Sequence, residues 1–133
     1  MSDIFDFTDD GLDKVHEETL VEAGAEYQLA IVNVIQGTDK NGDDYTMPFF
    51  EIIGQPYCKE FGDFLPKPNS EKMTEKQLNK ARMKRGAFLA AFSLEKSFTK
   101  DEAQGKTGWA ILGMGTDQDD QPVNKINKYV VGH

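Results

Sequence analysis

The feature that most limits how this chain can fold is a helix start placed among strand signals. In Thr74-Glu75-Lys76-Gln77 the threonine hydroxyl and the glutamine side chain can satisfy first-turn amides reciprocally. Leu78, Ala81, Phe88, Leu89 and Phe92 then recur on one face at helical spacing, and Lys76, Lys80 and Lys84 fall on the other. The pattern predicts one helix over residues 74–94. Arg85 lies inside the apolar stripe. Gly86 follows it at a cost of about 1 kcal/mol relative to alanine, and is expected to mark a close neighbour or a break.

The segments on either side carry a period of two. Tyr27 to Ile35 is β-branched and partly alternating, so it predicts a long strand. Asn41-Gly42 tolerates positive φ and signals a hairpin. Tyr45 to Ile53 returns as a second strand, with Pro48 pointing to an edge or a bulge. Tyr57 to Leu65 reads as a short third strand with a kink at Gly62, ended by Pro66 and Pro68. Thr107 to Gly115 and Val123 to Val131 read as strands four and five. In the fifth, Ile126, Lys128 and Val130 are expected on one face and Lys125, Asn127 and Tyr129 on the other.

A chain of 133 residues holds one core, not two. Its net charge of −8 is unevenly placed. Residues 1–26 carry nine acids against Lys14 alone, which accounts for the whole excess. Residues 67–85 carry Lys67, Lys72, Lys76, Lys80, Arg82, Lys84 and Arg85 against Glu71 and Glu75, a local +5. The organisation expected is therefore an acidic arm, 1–24, on a body, 25–133, with a basic segment. Binding follows the local field rather than the total, so an acidic chain is not thereby excluded from nucleic acid.

Most chemistry finds no support. One cysteine, Cys58, excludes an internal disulfide and a cysteine zinc cage. His16 and His133 stand near opposite ends, which leaves little for histidine catalysis. Gly105-Lys106-Thr107 resembles the end of a phosphate-binding loop, but Lys100 stands where the earlier glycine belongs and a strand follows. Acidic turns beginning at Asp39 and Asp117 lack the glycine and glutamate of a calcium loop. Ser70, Ser93 and Ser97 have no nearby histidine. The expectation is a non-enzyme with no metal and no cofactor. No apolar run reaches the roughly 20 residues of a membrane helix, and the start lacks signal-peptide features, so no membrane association and a reducing cytoplasm are expected.

Two features remain. The element order is strand, strand, strand, helix, strand, strand, that of an OB-fold: a five-stranded Greek-key barrel with a helix between strands three and four, expected here over roughly 25–131. Basic residues are also interleaved with aromatics, among them Tyr45, Phe49, Tyr57, Phe61, Phe64, Trp109 and Tyr129. Single strands are held by a positive groove that tracks phosphate and by aromatic faces on which bases stack. The site is expected among Tyr45, Tyr57, Trp109 and Tyr129 and the basic set Lys67, Lys72, Lys76, Lys80, Arg82, Lys84 and Arg85. Arg82 and Arg85 are the best placed, because guanidinium bonds phosphate bidentately and stacks on bases. Each has a plainer reading: a lysine-rich helix face is usually just solvated, and Trp109 or Tyr129 can serve a core. Phe50, Phe88 and Phe92 are assigned to the core.

From Gly24 to Val131 the chain resembles small phage-encoded single-stranded-DNA-binding proteins with an OB-fold. The resemblance is carried by Gly24-Ala25-Glu26-Tyr27, Lys40-Asn41-Gly42, Phe64-Leu65-Pro66-Lys67-Pro68, Lys80-Ala81-Arg82-Met83-Lys84-Arg85 running into Phe88, and Gly105-Lys106-Thr107-Gly108-Trp109-Ala110 leading to Asn124-Lys125-Ile126. It implies binding of exposed single strands during phage DNA replication or recombination, in a host cell cytoplasm. Many such proteins end in an acidic tail that recruits partners. Here Asn127-Lys128-Tyr129-Val130-Val131-Gly132-His133 carries no acid. Either such a tail lies outside this sequence, or the acidic, aromatic-bearing N-terminal arm recruits replication or recombination proteins instead. The competing reading is an acidic protein-interaction module, such as a DNA mimic that blocks a host nucleic-acid-binding protein.

Overall fold

The computed structural model describes residues 3–133. Residues 1 and 2, part of the expected arm, lie outside the described residues. After a 3-10 turn (Leu12–Lys14), the elements in chain order are β1 (Glu26–Thr38), β2 (Asp44–Ile52), β3 (Phe61–Gly62), β4 (Leu65–Pro66), α1 (Glu75–Ala91), α2 (Lys100–Ala103), β5 (Thr107–Thr116) and β6 (Pro122–Val130). The strands form one antiparallel sheet in the order β3-β2-β1-β5-β6, with β4 also paired to β2.

β1 is the central strand. Its first half pairs with β5, from Glu26 opposite Ile111 to Ala30 opposite Thr107. From Leu29 onward it pairs with β2 as far as Thr38 opposite Asp44. The hairpin turns where sequence places it. Gly42 adopts a φ of 79°, and the Asp39 carboxylate accepts from the amides of Asn41 and Asp43. The ladder skips Val32, a bulge that bends the strand.

The third strand is broken in two. Phe61 and Gly62 pair with Phe50 and Phe49, Leu65 and Pro66 pair with Thr46 and Tyr45, and the gap faces Met47-Pro48. A proline has no N–H to give a ladder, which fits a break there. A second bulge lies in β6: Ile111 pairs with Lys128 but Leu112 pairs with Ile126, leaving Asn127 over. The extra residue reverses the alternation beyond it. Lys128 therefore stays outside and Tyr129 turns into the core, which corrects the uniform two-residue alternation expected for this strand.

The antiparallel β architecture with one main helix is as expected, with the third strand counted as two. The sheet has six strands and is not closed by backbone pairing. Its ends meet through side chains: Tyr129 Oη donates to Asp63 Oδ2 at 2.6 Å, just beyond β3.

α1 begins at the expected capping box, with Thr74 accepting from the Gln77 amide and Gln77 from the Thr74 amide. It ends at Ala91, short of 94, because Ser93 takes a φ of 54°. Gly86 neither breaks the helix nor meets a neighbour. A tight contact falls at Gly108 instead, where a Cβ would lie 2.6 Å from the Ala91 carbonyl oxygen. The short α2 has no counterpart in the sequence reading; Thr99 caps it by accepting from the Glu102 amide.

Phe50 sits at the centre of the core. Its ring lies 5.3 Å from Phe92, 5.7 Å from Phe61, 6.3 Å from Phe88 and 6.4 Å from Tyr129. Phe50, Phe88 and Phe92 are fully buried, as assigned. Burying each such ring stabilises the fold by about 1.5–3 kcal/mol. No helix among the described residues is long and apolar enough to cross a membrane.

Candidate nucleic-acid interface

Between the far half of the β1–β2 hairpin, α1 and the segment leading to α2 lies a cleft of about 670 Å³. Its apolar lining comes from Val34, Leu65, Phe88 and Leu89, with Phe98 beside them. Its charged groups are Arg85, Lys96 and Lys100, and no carboxylate lines it. A smaller cleft of about 350 Å³ brings in Tyr45, Lys67 and Asp44. Gln36, Thr46 and Arg85 line both, so the two run together as one groove with Arg85 as the shared wall.

The fold holds Arg85 in place. Its position in the apolar stripe of α1 points it at the sheet, where the ends of β4 and β2 offer acceptors. Nε donates to the Pro66 carbonyl at 2.9 Å, and Nη2 donates to the Leu65 carbonyl at 2.9 Å and to Thr46 Oγ1 at 3.5 Å. Nη1 makes no hydrogen bond to the chain among the described residues. Burial pushes the pKa of this guanidinium down from its ordinary value, but a guanidinium keeps its charge throughout the physiological range. The result is a cation fixed along one edge and available along the other.

Two of the residues singled out from sequence, Lys67 and Arg85, meet in this groove, and a third, Tyr45, borders it from the other face of the hairpin. Tyr45 lies with its ring 4.9 Å from Phe64, in space left by Gly37, where a Cβ would stand 2.7 Å from the tyrosine hydroxyl. Lys67 is exposed at the smaller cleft, and Arg85 is the wall. Arg82, also exposed, precedes Arg85 by one turn on the same side of α1.

The other lysines divide. Lys72 is engaged by the hairpin, 2.9 Å from Asp43 and donating to the Asn41 carbonyl. Lys84 is engaged by the segment that also holds Arg85, 3.0 Å from Asp63 and donating to the Phe64 carbonyl. Lys76 and Lys80 continue the Lys84 row as exposed residues. None of these four lines the groove.

The remaining aromatics lie elsewhere. Tyr57 stacks on His16 with ring centroids 4.0 Å apart, beside a separate hollow that includes Glu18 and Glu60. Trp109 stacks on His133 at 3.8 Å, on β5. Tyr129 is corrected: it is 6% exposed, packs against Phe50 and bonds Asp63, so neither ring face is open to a base. Burial, with the neighbouring Asp63 charge, pushes its hydroxyl pKa well above the ordinary value.

Sequence reasoning missed Gln36, Thr46, Lys96, Phe98 and Lys100. The last three carry a signal in Lys96-Ser97-Phe98-Thr99-Lys100, a basic and aromatic alternation just after the helix.

The arm divides as well. From Asp3 to Glu18 its residues are exposed apart from Gly11. No carboxylate of this stretch forms an ion pair with a side chain among the described residues. His16 nevertheless stacks on Tyr57, and from Thr19 the backbone itself bonds to the body. Thr19 bridges Cys58 in parallel, Val21 pairs with the Asn124 side chain, and the Gly24 amide donates to the Leu112 carbonyl. Thr19 to Gly24, the last part of the expected arm, are thus hydrogen-bonded to the body. No model of a known protein family matches the chain, and no curated protein does.

Proposed function

We propose that the protein is a sequence-tolerant, non-enzymatic single-stranded-DNA-binding protein of OB-fold type, serving phage DNA replication or recombination. The observation that carries this reading is the groove on either side of Arg85. A strand offers alternating anions and flat apolar rings. The groove offers Arg85, Lys67, Lys96 and Lys100 to the first and Phe98 to the second, with Tyr45 at its rim. Asp44, its one carboxylate, accepts from Thr38 Oγ1. The strand order, with α1 between β4 and β5, supports the OB-fold assignment.

A salt titration of binding to oligo-dT tests it. Affinity falls as salt rises if phosphate contacts dominate. Binding that is absent, or indifferent to salt, overturns the reading.

One observation favours the second reading, an acidic protein-interaction module. Ile4, Phe5 and Phe7 are 89%, 84% and 62% exposed among the acids of the arm. Such a segment suits a basic partner with an apolar hollow. The same titration separates the two, because a DNA mimic binds no oligonucleotide.

A further inference from the structure

We infer that the larger cleft takes one base of the bound strand out of its stack, edge first, while the neighbouring phosphates meet Arg85, Lys96 and Lys100. This rests on the strand-binding reading and goes beyond it, because sequence-tolerant binding needs only surface stacking.

Three observations carry the inference. The first is size: about 670 Å³ falls inside the range of about 300–1,000 Å³ typical of small-molecule clefts. The second is the lining: Val34, Leu65 and Leu89 are apolar, and Phe98 borders them with its ring inclined 55° to that of Phe88. The third is the polar edge. The Gln36 carboxamide makes no hydrogen bond to the chain among the described residues, and Thr46 Oγ1 receives only the 3.5 Å contact from Arg85. A carboxamide presents one donor group and one acceptor, the complement of a base edge.

A flat heterocycle with a hydrogen-bonding edge and an attached anion fits all three. A phosphate alone leaves the apolar surface uncovered. An acyl chain with an anionic head leaves Gln36 and Thr46 unpaired. Inserting a base costs least in a single strand, where only stacking is lost.

The experiment compares an intact oligonucleotide with an abasic strand of equal length, against the parent, Phe98→Ala and Gln36→Ala. The abasic strand keeps the phosphates and loses the rings. Expected is a loss of about 5- to 150-fold for Phe98→Ala on the intact strand, and no change on the abasic one. Gln36→Ala, at an exposed position, repeats the pattern with a smaller loss and guards against a folding defect in the Phe98 variant. Thermal melts accompany both. If both variants bind intact and abasic strands in the parent's ratio, the base does not enter and the inference is overturned while strand binding stands. If the parent shows no salt-sensitive binding to either strand, both readings fall together.

Discussion

The Asn124 carboxamide pairs with both backbone groups of Val21, accepting from its amide and donating to its carbonyl at 3.0 Å each. One side chain thus does for the arm what a strand ladder does elsewhere. The same Nδ2 also donates to the Gly113 carbonyl at 3.2 Å, which ties the clamp to β5. Asn124 is 1% exposed, so this polar group is buried and fully engaged.

Replacing it is expected to free the start of the body. Asn124→Ala removes these bonds and opens a small void, with a loss of about 1–3 kcal/mol. Denaturant unfolding measures the loss. Hydrogen exchange should quicken at Val21 while β1 stays protected. Oligonucleotide affinity should not change, because the clamp is not part of the groove.

Truncation gives the complementary test. Removing residues 1–18 ends the deletion before the Thr19 amide that donates to the Tyr57 carbonyl. The excised acids repel phosphate, so affinity for oligo-dT should stay equal or rise. A large loss in a folded truncated protein places the arm in the binding site.

Arg85 and the outer lysines should separate cleanly. Arg85→Lys keeps a charge but loses the fork held by Leu65 and Pro66. Arg85→Ala removes one phosphate contact and should lower the salt slope by about 0.7 for a single strand. Lys76→Ala and Lys80→Ala lie outside the groove and should leave the slope unchanged. Equal effects at all these positions would favour a diffuse helix face over the groove.

Tyr129 predicts an alkaline limit to stability. Its folded-state pKa is raised above the ordinary 10.0, because burial and the Asp63 charge disfavour the phenolate. The stability it contributes is fully present below pH 10. It is lost as pH rises further, since the unfolded tyrosine ionises and the folded one does not. The decline approaches about 1.4 kcal/mol per pH unit. Tyr129→Phe removes this titration and should flatten the stability profile above pH 10, at a cost near neutrality of about 1.5–3 kcal/mol for the bond to the carboxylate.

Much of the fold was legible because its punctuation is local. Asn41-Gly42 and the Thr74–Gln77 box each act within four residues, and both stand where sequence puts them. The bulge at Asn127 was not legible, since a period-two pattern carries no mark for an inserted residue, and a tyrosine at a strand end suits a core and a contact alike. The groove was legible only in part. Helical spacing separates Arg85 from the Lys76-Lys80-Lys84 row, but nothing local says that Lys72 meets Asp43 or that Lys84 meets Asp63. Gln36, Thr46 and Phe98 become neighbours only when the hairpin and the segment after α1 fold towards each other.

The absent side chain at Gly108 has a reach beyond its own strand. The backbone of Ala91 rests where a Cβ would have to go, and Ala91 is the last residue of the rod that carries Arg85. A methyl group at 108 acts as a shim under one end of that rod. At 2.6 Å from a backbone oxygen that methyl group cannot be accommodated unless the end of the helix moves. Position 108 therefore constrains the seat of α1, the element that carries Arg85, from a strand on the other side of the core.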